Sequence, residues 1–279
     1  MIAASIWQVI FMSSFIASIA WTLPTVVRLN RRSTWLMAGG FGQKKPPHEL
    51  KGAKPMQLIY DSLVSITDVQ ESLRLSHKCP AIMSCLEAMN TITLSDLGLD
   101  EAYVLNAKNN VCMNIVNAPE FDIQIFVIPK GQKLPLHDHP SMAVLSKVIS
   151  GTLSIQSFSP AKLVSCGELS TGKADLVLQA IRTCADSAWL LTPFDGNVHE
   201  LEAKETSIVL DVLMPPYSEG DRPCNFYRSV MKDDCWFLES IPPPPNRLLP
   251  TSVQYSGQRP ILKEVKWGSM FRMSSPARR

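Results

Sequence analysis

The sequence predicts an all-β barrel or sandwich with a helical layer on its N-terminal side, and three observations lead there. From about residue 102 onward, short runs rich in branched and aromatic residues recur between turn residues: FDIQIFVI, MAVLSKVI, TLSIQSF, ADLVLQAI, SAWLLTP, NVHELEA and SIVLDVLM. Many short strands with turn signals point to a sandwich or barrel. Between Pro55 and Met89 the apolar spacing is helical instead, through Leu58, Ile59, Leu63, Ile66, Val69 and Leu73. Finally, 46% hydrophobic residues suffice for a substantial core. A net charge of +2, with no Lys/Arg run interleaved with aromatics, gives a nucleic-acid partner no support.

Taken in order, residues 1–36 form an apolar N-terminal segment. Ile2 to Val27 carries no charged residue, and about 20 apolar residues span a bilayer. Arg28, Arg31 and Arg32 follow at once, which under the positive-inside rule leaves the rest of the chain in the cytosol. The segment reads as a membrane anchor, with two rivals: a signal peptide cut near Ser18-Ile-Ala20, or an upstream extension of a protein starting at Met37. Residues 37–54, containing GGFGQKKPPHELKGAK, read as a linker. The helical segment runs over 55–94, with Pro55 suited to a first turn, and is expected to pack outside the barrel. The β domain covers 95–265. Four prolines, Pro242 to Pro245, must be extended. The tail 266–279 is basic and Ser-rich. Seven cysteines, an odd number without CxxC pairs, suit a reduced compartment.

The chemistry gathers around His137 and His139 in GQKLPLHDHPSMAVLSKVISG. In an extended chain residues i and i+2 share a face. Both imidazoles then project into one space, half of a transition-metal site, while Asp138 points away. Gly131, five residues, His-x-His, four residues, Val144, six residues and Gly151 resembles the first metal motif of the cupin superfamily. Val144 stands where many cupins have a glutamate ligand. A second cupin-like block is Pro193-Phe-Asp-Gly196-Asn-Val-His199, one residue longer than usual between its Pro and Gly, and it implies His199 as third ligand. Neither His48 nor His77, the other two histidines, has a polar partner at ligand spacing. The resemblance makes the barrel a cupin double-stranded β-helix, a jelly roll.

Several ordered blocks narrow the resemblance further: SDLGL at Ser95, PLHDHPSM, SKVISGTLSI, LTPFDGNVHEL, LDVLMPPYSEGDRPCNFYR, WFLESIPPP and YSGQRP at Tyr255. Together they are similar to the thiol dioxygenases that include cysteamine (2-aminoethanethiol) dioxygenase and the plant cysteine oxidases, over roughly Ser95 to Leu262. The resemblance implies Fe(II) on His137, His139 and His199, with O2 and an aminothiol as substrates: cysteamine or the N-terminal cysteine of a protein or peptide. It also implies that Asp211 and Tyr217 lie near the metal and act in catalysis, binding the substrate ammonium or relaying protons. Asn197 reads as a turn residue. Some thiol dioxygenases crosslink a cysteine near the site to a tyrosine, but two residues after Cys224 this chain has Phe226, and Tyr227 is expected on the other face. Oxygen sensing, a monomeric state and a cytoplasmic catalytic domain complete the expectation. The rival readings are a metal-binding cupin without oxygenase activity and a zinc or manganese cupin enzyme.

Overall fold

The computed structural model describes residues 54–66, 72, 76–160, 172–245 and 248–263. The expectations for the N-terminal segment, for the linker up to residue 53 and for the tail 266–279 lie outside these residues. No helix among the described residues is long and apolar enough to cross a membrane.

Among the described residues, helices α1 (Lys54–Val64), α2 (Pro80–Thr91), α3 (Leu94–Leu97) and α4 (Glu101–Leu105) come first, with a 3-10 turn at Ser76–Lys78. Met56, Ile59, Tyr60 and Leu63 line one side of α1 at i, i+3, i+4 and i+7, and all four are buried. Leu58 lies off that stripe and is exposed. Thr93 and Asp96 cap α3 reciprocally, and the Asp100 carboxylate caps α4. The chain therefore stays helical to Leu105, and strands begin at Val111 rather than near Ala102.

Among the described residues twelve strands follow: β1 (Val111–Asn117), β2 (Asp122–Ile128), β3 (Lys133–His137), β4 (Ala143–Ser150), β5 (Thr152–Pro160), β6 (Gly172–Thr183), β7 (Trp189–Leu191), β8 (Val198–Ala203), β9 (Ser207–Met214), β10 (Phe226–Lys232), β11 (Cys235–Ile241) and β12 (Thr251–Val253). One sheet runs β12-β1-β2-β9-β4-β7; the other runs β10-β11-β6-β5-β8-β3 and closes on itself where Phe226 pairs with His137. This is the all-β cupin barrel that the sequence motifs imply.

Three apolar layers stack through the molecule. Phe126, Ile128, Val148 and Val209 from the first sheet meet Leu134, Leu153, Ile155 and Leu201 from the second, filling the space between them. The outer face of the first sheet (Ile123, Ile125, Leu145, Leu210, Val212) packs on α1 and α2 through Ile59, Leu63, Ile82 and Met89. On the far side of the second sheet, β10 and β11 fold over Leu136, Phe158 and Val198. Because β4 and β9 are covered on both faces, SIVLDVLM is buried at every position and reads as a continuous apolar run rather than an alternating one. Gly151 turns β4 into β5 at φ +85°, where a Cβ would collide with the Thr206 carbonyl.

Candidate metal centre

His137 is the last residue of β3 and lies directly opposite His199 on β8. Beyond it the chain leaves the strand, and His139 comes back toward the same pair: the three ring centroids are 4.8 to 4.9 Å apart. Their ligating nitrogens all lie within 4.8 Å of one another, the one such His/Cys/Asp/Glu group among the described residues. The i, i+2 reasoning thus holds for the two imidazoles, although a register shift between Leu134 and His137 interrupts the ladder.

Two of the imidazoles, His137 and His139, are held from behind. His137 Nδ1 sits 2.7 Å from the Pro135 carbonyl, to which only an Nδ1–H can bond. Tyr217 Oη donates to the Asp138 carbonyl at 2.6 Å, so at 2.8 Å from His139 Nδ1 it accepts that ring's proton. Both rings therefore turn Nε2 lone pairs inward. His139 is gripped through its backbone as well: Asn197 Oδ1 accepts from its N–H at 3.1 Å, and Asn197 Nδ2 donates to its carbonyl at 2.6 Å. His139 Nε2 and His199 Nε2 are 3.0 Å apart, the separation of two nitrogens each about 2.1 Å from one ion and at right angles to one another. Burial lowers all three imidazole pKa values: His137 to about 4, and His139 and His199 well below the usual value, helped by their neighbouring rings. At neutral pH the cluster is uncharged, as ligands must be. These residues fit a transition metal.

No carboxylate joins them. Val144 is fully buried with Met142, Leu191 and Leu213, an apolar wall that Trp189 and Tyr217 extend. Asp211 lies on the face of β9 that carries Val209 and Leu213, opposite Ser146 on β4 and Gln124 on β2. Burial pushes its pKa up to about 7, and Ser146 offsets this only in part. Asp211 Oδ1 and Ser146 Oγ each lack a hydrogen bond of good geometry. The charge of Asp211 also reaches Tyr217, whose phenol is raised far above its usual pKa by burial first, then by Cys224, Asp138 and Asp211. Tyr217 itself packs behind His139, with its hydroxyl engaged by Asp138 and that ring.

Asp138 does point away from the imidazoles, but not into solvent. It is fully buried, accepting from the Asn225 N–H at 2.8 Å, Asn225 Nδ2 at 3.0 Å and Tyr227 Oη at 2.9 Å. It thereby ties the histidine loop to β10. Burial still holds its pKa above the usual range. Sequence reasoning missed this anchor: HDH shows which face Asp138 takes, but not that β10 covers that face. Asn197, read as a turn residue, is the clamp on His139. Tyr227 faces Asp138, and Phe226 faces His137 with ring centroids 6.4 Å apart. Cys224 is a free thiol beside Tyr217, raised above its ordinary pKa chiefly by burial. His77 is exposed and outside the cluster; His48 lies outside the described residues.

A family model described as PCO_ADO matches residues 88–268. A probable 2-aminoethanethiol dioxygenase from Dictyostelium discoideum is 33% identical over 159 residues, covering 54% of this chain and 72% of that protein. Plant cysteine oxidase 1 from Arabidopsis thaliana is 34% identical over 117 residues, covering 41% of this chain and 40% of its own length. Among solved structures, an RmlC-like cupin protein from Desulfovibrio desulfuricans is 21% identical, covers 42% of this chain and 93% of its own, and has a TM-score of 0.29.

Proposed function

The chain belongs to the PCO_ADO family of thiol dioxygenases, and from that premise we propose that it uses Fe(II) on His137, His139 and His199 to convert an aminothiol and O2 to a sulfinic acid. The observation that carries this reading is a donor set of three neutral imidazoles in which no carboxylate takes part. Neutral ligands leave the full charge of a dication for an anionic thiolate. Iron bound there would deprotonate the thiol and supply the redox chemistry that O2 requires.

The protein's own groups bind, orient and keep the site dry. In this reading Asp211 is the carboxylate that receives a substrate ammonium. With a pKa of about 7 it ionises readily near neutrality, and pairing with a cation would favour its charged form further. In this reading the apolar wall of Val144, Leu191 and Leu213 keeps water from the reacting sulfur. The atoms balance as RSH + O2 → RSO2H: both oxygens go to sulfur, the thiol supplies the electrons, and no outside reductant enters. Cysteamine and an N-terminal cysteine both set a thiol two carbons from an amine, so one carboxylate serves either.

Oxygen uptake by the iron-loaded protein tests this, with cysteamine and with a Cys-initiated peptide. At least one should be consumed at one O2 per thiol, giving a product heavier by two oxygen atoms. Uptake with neither would refute the activity.

Tyr217 acts in this account as a positioning residue. Tyr217→Phe keeps the ring and removes the acceptor for His139 Nδ1–H. It should weaken Fe(II) binding by about 10–100-fold, the usual effect of removing a ligand's outer partner. Wild-type affinity, measured by chelator competition, would contradict that role.

A further inference from the structure

Two buried polar atoms beside the metal centre lack hydrogen-bond partners, and they belong to directly opposed residues: Ser157 Oγ and His199 Nδ1. Ser157 on β5 pairs with His199 on β8 in an antiparallel ladder. Opposed residues in such a pair share a face, with Cβ atoms about 4.5–5.5 Å apart. Ser157 is 0% exposed and His199 1%, so bulk water satisfies neither. The other two imidazoles each have a partner at Nδ1, the Pro135 carbonyl and Tyr217 Oη. His199 is the ligand of the three that lacks one, and metal-ligating histidines almost always have one.

We propose that Ser157 is the positioning residue for His199: its hydroxyl meets Nδ1 through a χ1 rotation or one bridging water. This rests on reading the three imidazoles as a metal site. Gly196, at φ +66°, lies next to Ser157: a Cβ there would be in ordinary contact with Ser157 Cβ at 3.7 Å and tight against Leu191 at 3.1 Å.

A hydroxyl suits the place because it both donates and accepts. The His139 Nδ1 proton is committed to Tyr217, so its Nε2 is a lone pair. The 3.0 Å contact between the two Nε2 atoms needs one proton, from His199, if it is a hydrogen bond, and none if a cation joins them. With that hydrogen bond in the metal-free protein, an ion held by the two Nε2 atoms would leave the His199 proton on Nδ1 instead. Ser157 donates to Nδ1 in the first arrangement and accepts from it in the second. A backbone carbonyl could do only the latter.

The test uses Zn(II), diamagnetic and redox-inert, on the full chain. Three quantities are compared between wild type and Ser157→Ala: zinc affinity by chelator competition, Tm of the metal-free protein, and the His199 imidazole N–H signal of the zinc-loaded protein. The variant should bind zinc about 10–100-fold more weakly, keep the metal-free Tm within a few degrees, and lose the His199 Nδ1–H signal to solvent exchange. Unchanged affinity, an unchanged signal, or an affinity loss matched by a metal-free Tm loss would overturn the proposal. Ser157→Thr and Ser157→Val share a shape and differ by the hydroxyl, so their comparison stands whatever packing the extra bulk disturbs. Thr should bind about 10-fold tighter than Val or more, and equal affinities would also overturn it. A wild type that binds neither zinc nor iron removes the metal reading itself, and this inference with it.

Discussion

His199→Ala should leave a folded chain that no longer holds iron. Wild type purified without oxygen should carry about one Fe(II) per chain, because the three imidazoles form a single site. The substitution removes the residue that faces His137 across the ladder and lies 3.0 Å from His139 Nε2. Two imidazoles remain, and affinity should fall by about 10²-fold or more, beyond what losing an outer partner costs. Turnover should fall with it, and added Fe(II) at ordinary concentrations should not restore it. Metal content, circular dichroism and oxygen uptake on one sample separate loss of metal from loss of fold. Full iron occupancy in this variant would show that His199 is not a ligand.

Asp211→Asn is expected to split activity from stability. It keeps the volume and removes the charge that would receive the substrate ammonium, so turnover should drop by about 10²-fold or more, as for other positioned carboxylates, with KM for the aminothiol rising. Stability should move the other way. Burial holds the Asp211 pKa at about 7, above an ordinary aspartate near 3.9. The folded state therefore keeps a proton that the unfolded chain releases. That contribution to stability is complete below about pH 4 and is lost as pH rises through about 7. The metal-free variant should match wild type near pH 4 and melt several degrees higher above pH 7. The lowered pKa values of the three histidines act in the opposite sense, but in both proteins, so they cancel in the comparison. Wild-type turnover in the variant would exclude Asp211 from substrate binding, and a Tm difference that does not grow with pH would contradict its burial as a strained acid.

The distance at which information acts decides what the chain shows of itself before it folds. His137 and His139 are legible together because a strand's period of two is local. His199 is not, since its pairing with His137 crosses 62 positions of sequence, and only the resemblance of PFDGNVH to a cupin block brings it in. The helical layer is legible from spacing, and α3 and α4 carry their caps in TLSD and in Asp100. β10 and β11 escape notice because FYRSVMK and CWFLESI are half-exposed and do not alternate cleanly. With them goes the anchor of Asp138, since its partners Asn225 and Tyr227 come from that hairpin. Asp211 stands out as an acid in an apolar strand, but its place opposite Ser146 and Gln124 depends on the β2-β9-β4 order. Ser157 carries no local signal at all; only the ladder sets it against His199.

The most direct test of the central claim is a turnover of the iron-loaded protein under isotopically labelled O2, with the product weighed. A dioxygenase working through His137, His139 and His199 delivers both labelled atoms to one sulfinate, and the zinc-loaded protein delivers none. A product carrying one labelled oxygen, a disulfide carrying none, or full activity with zinc in place of iron would contradict the account.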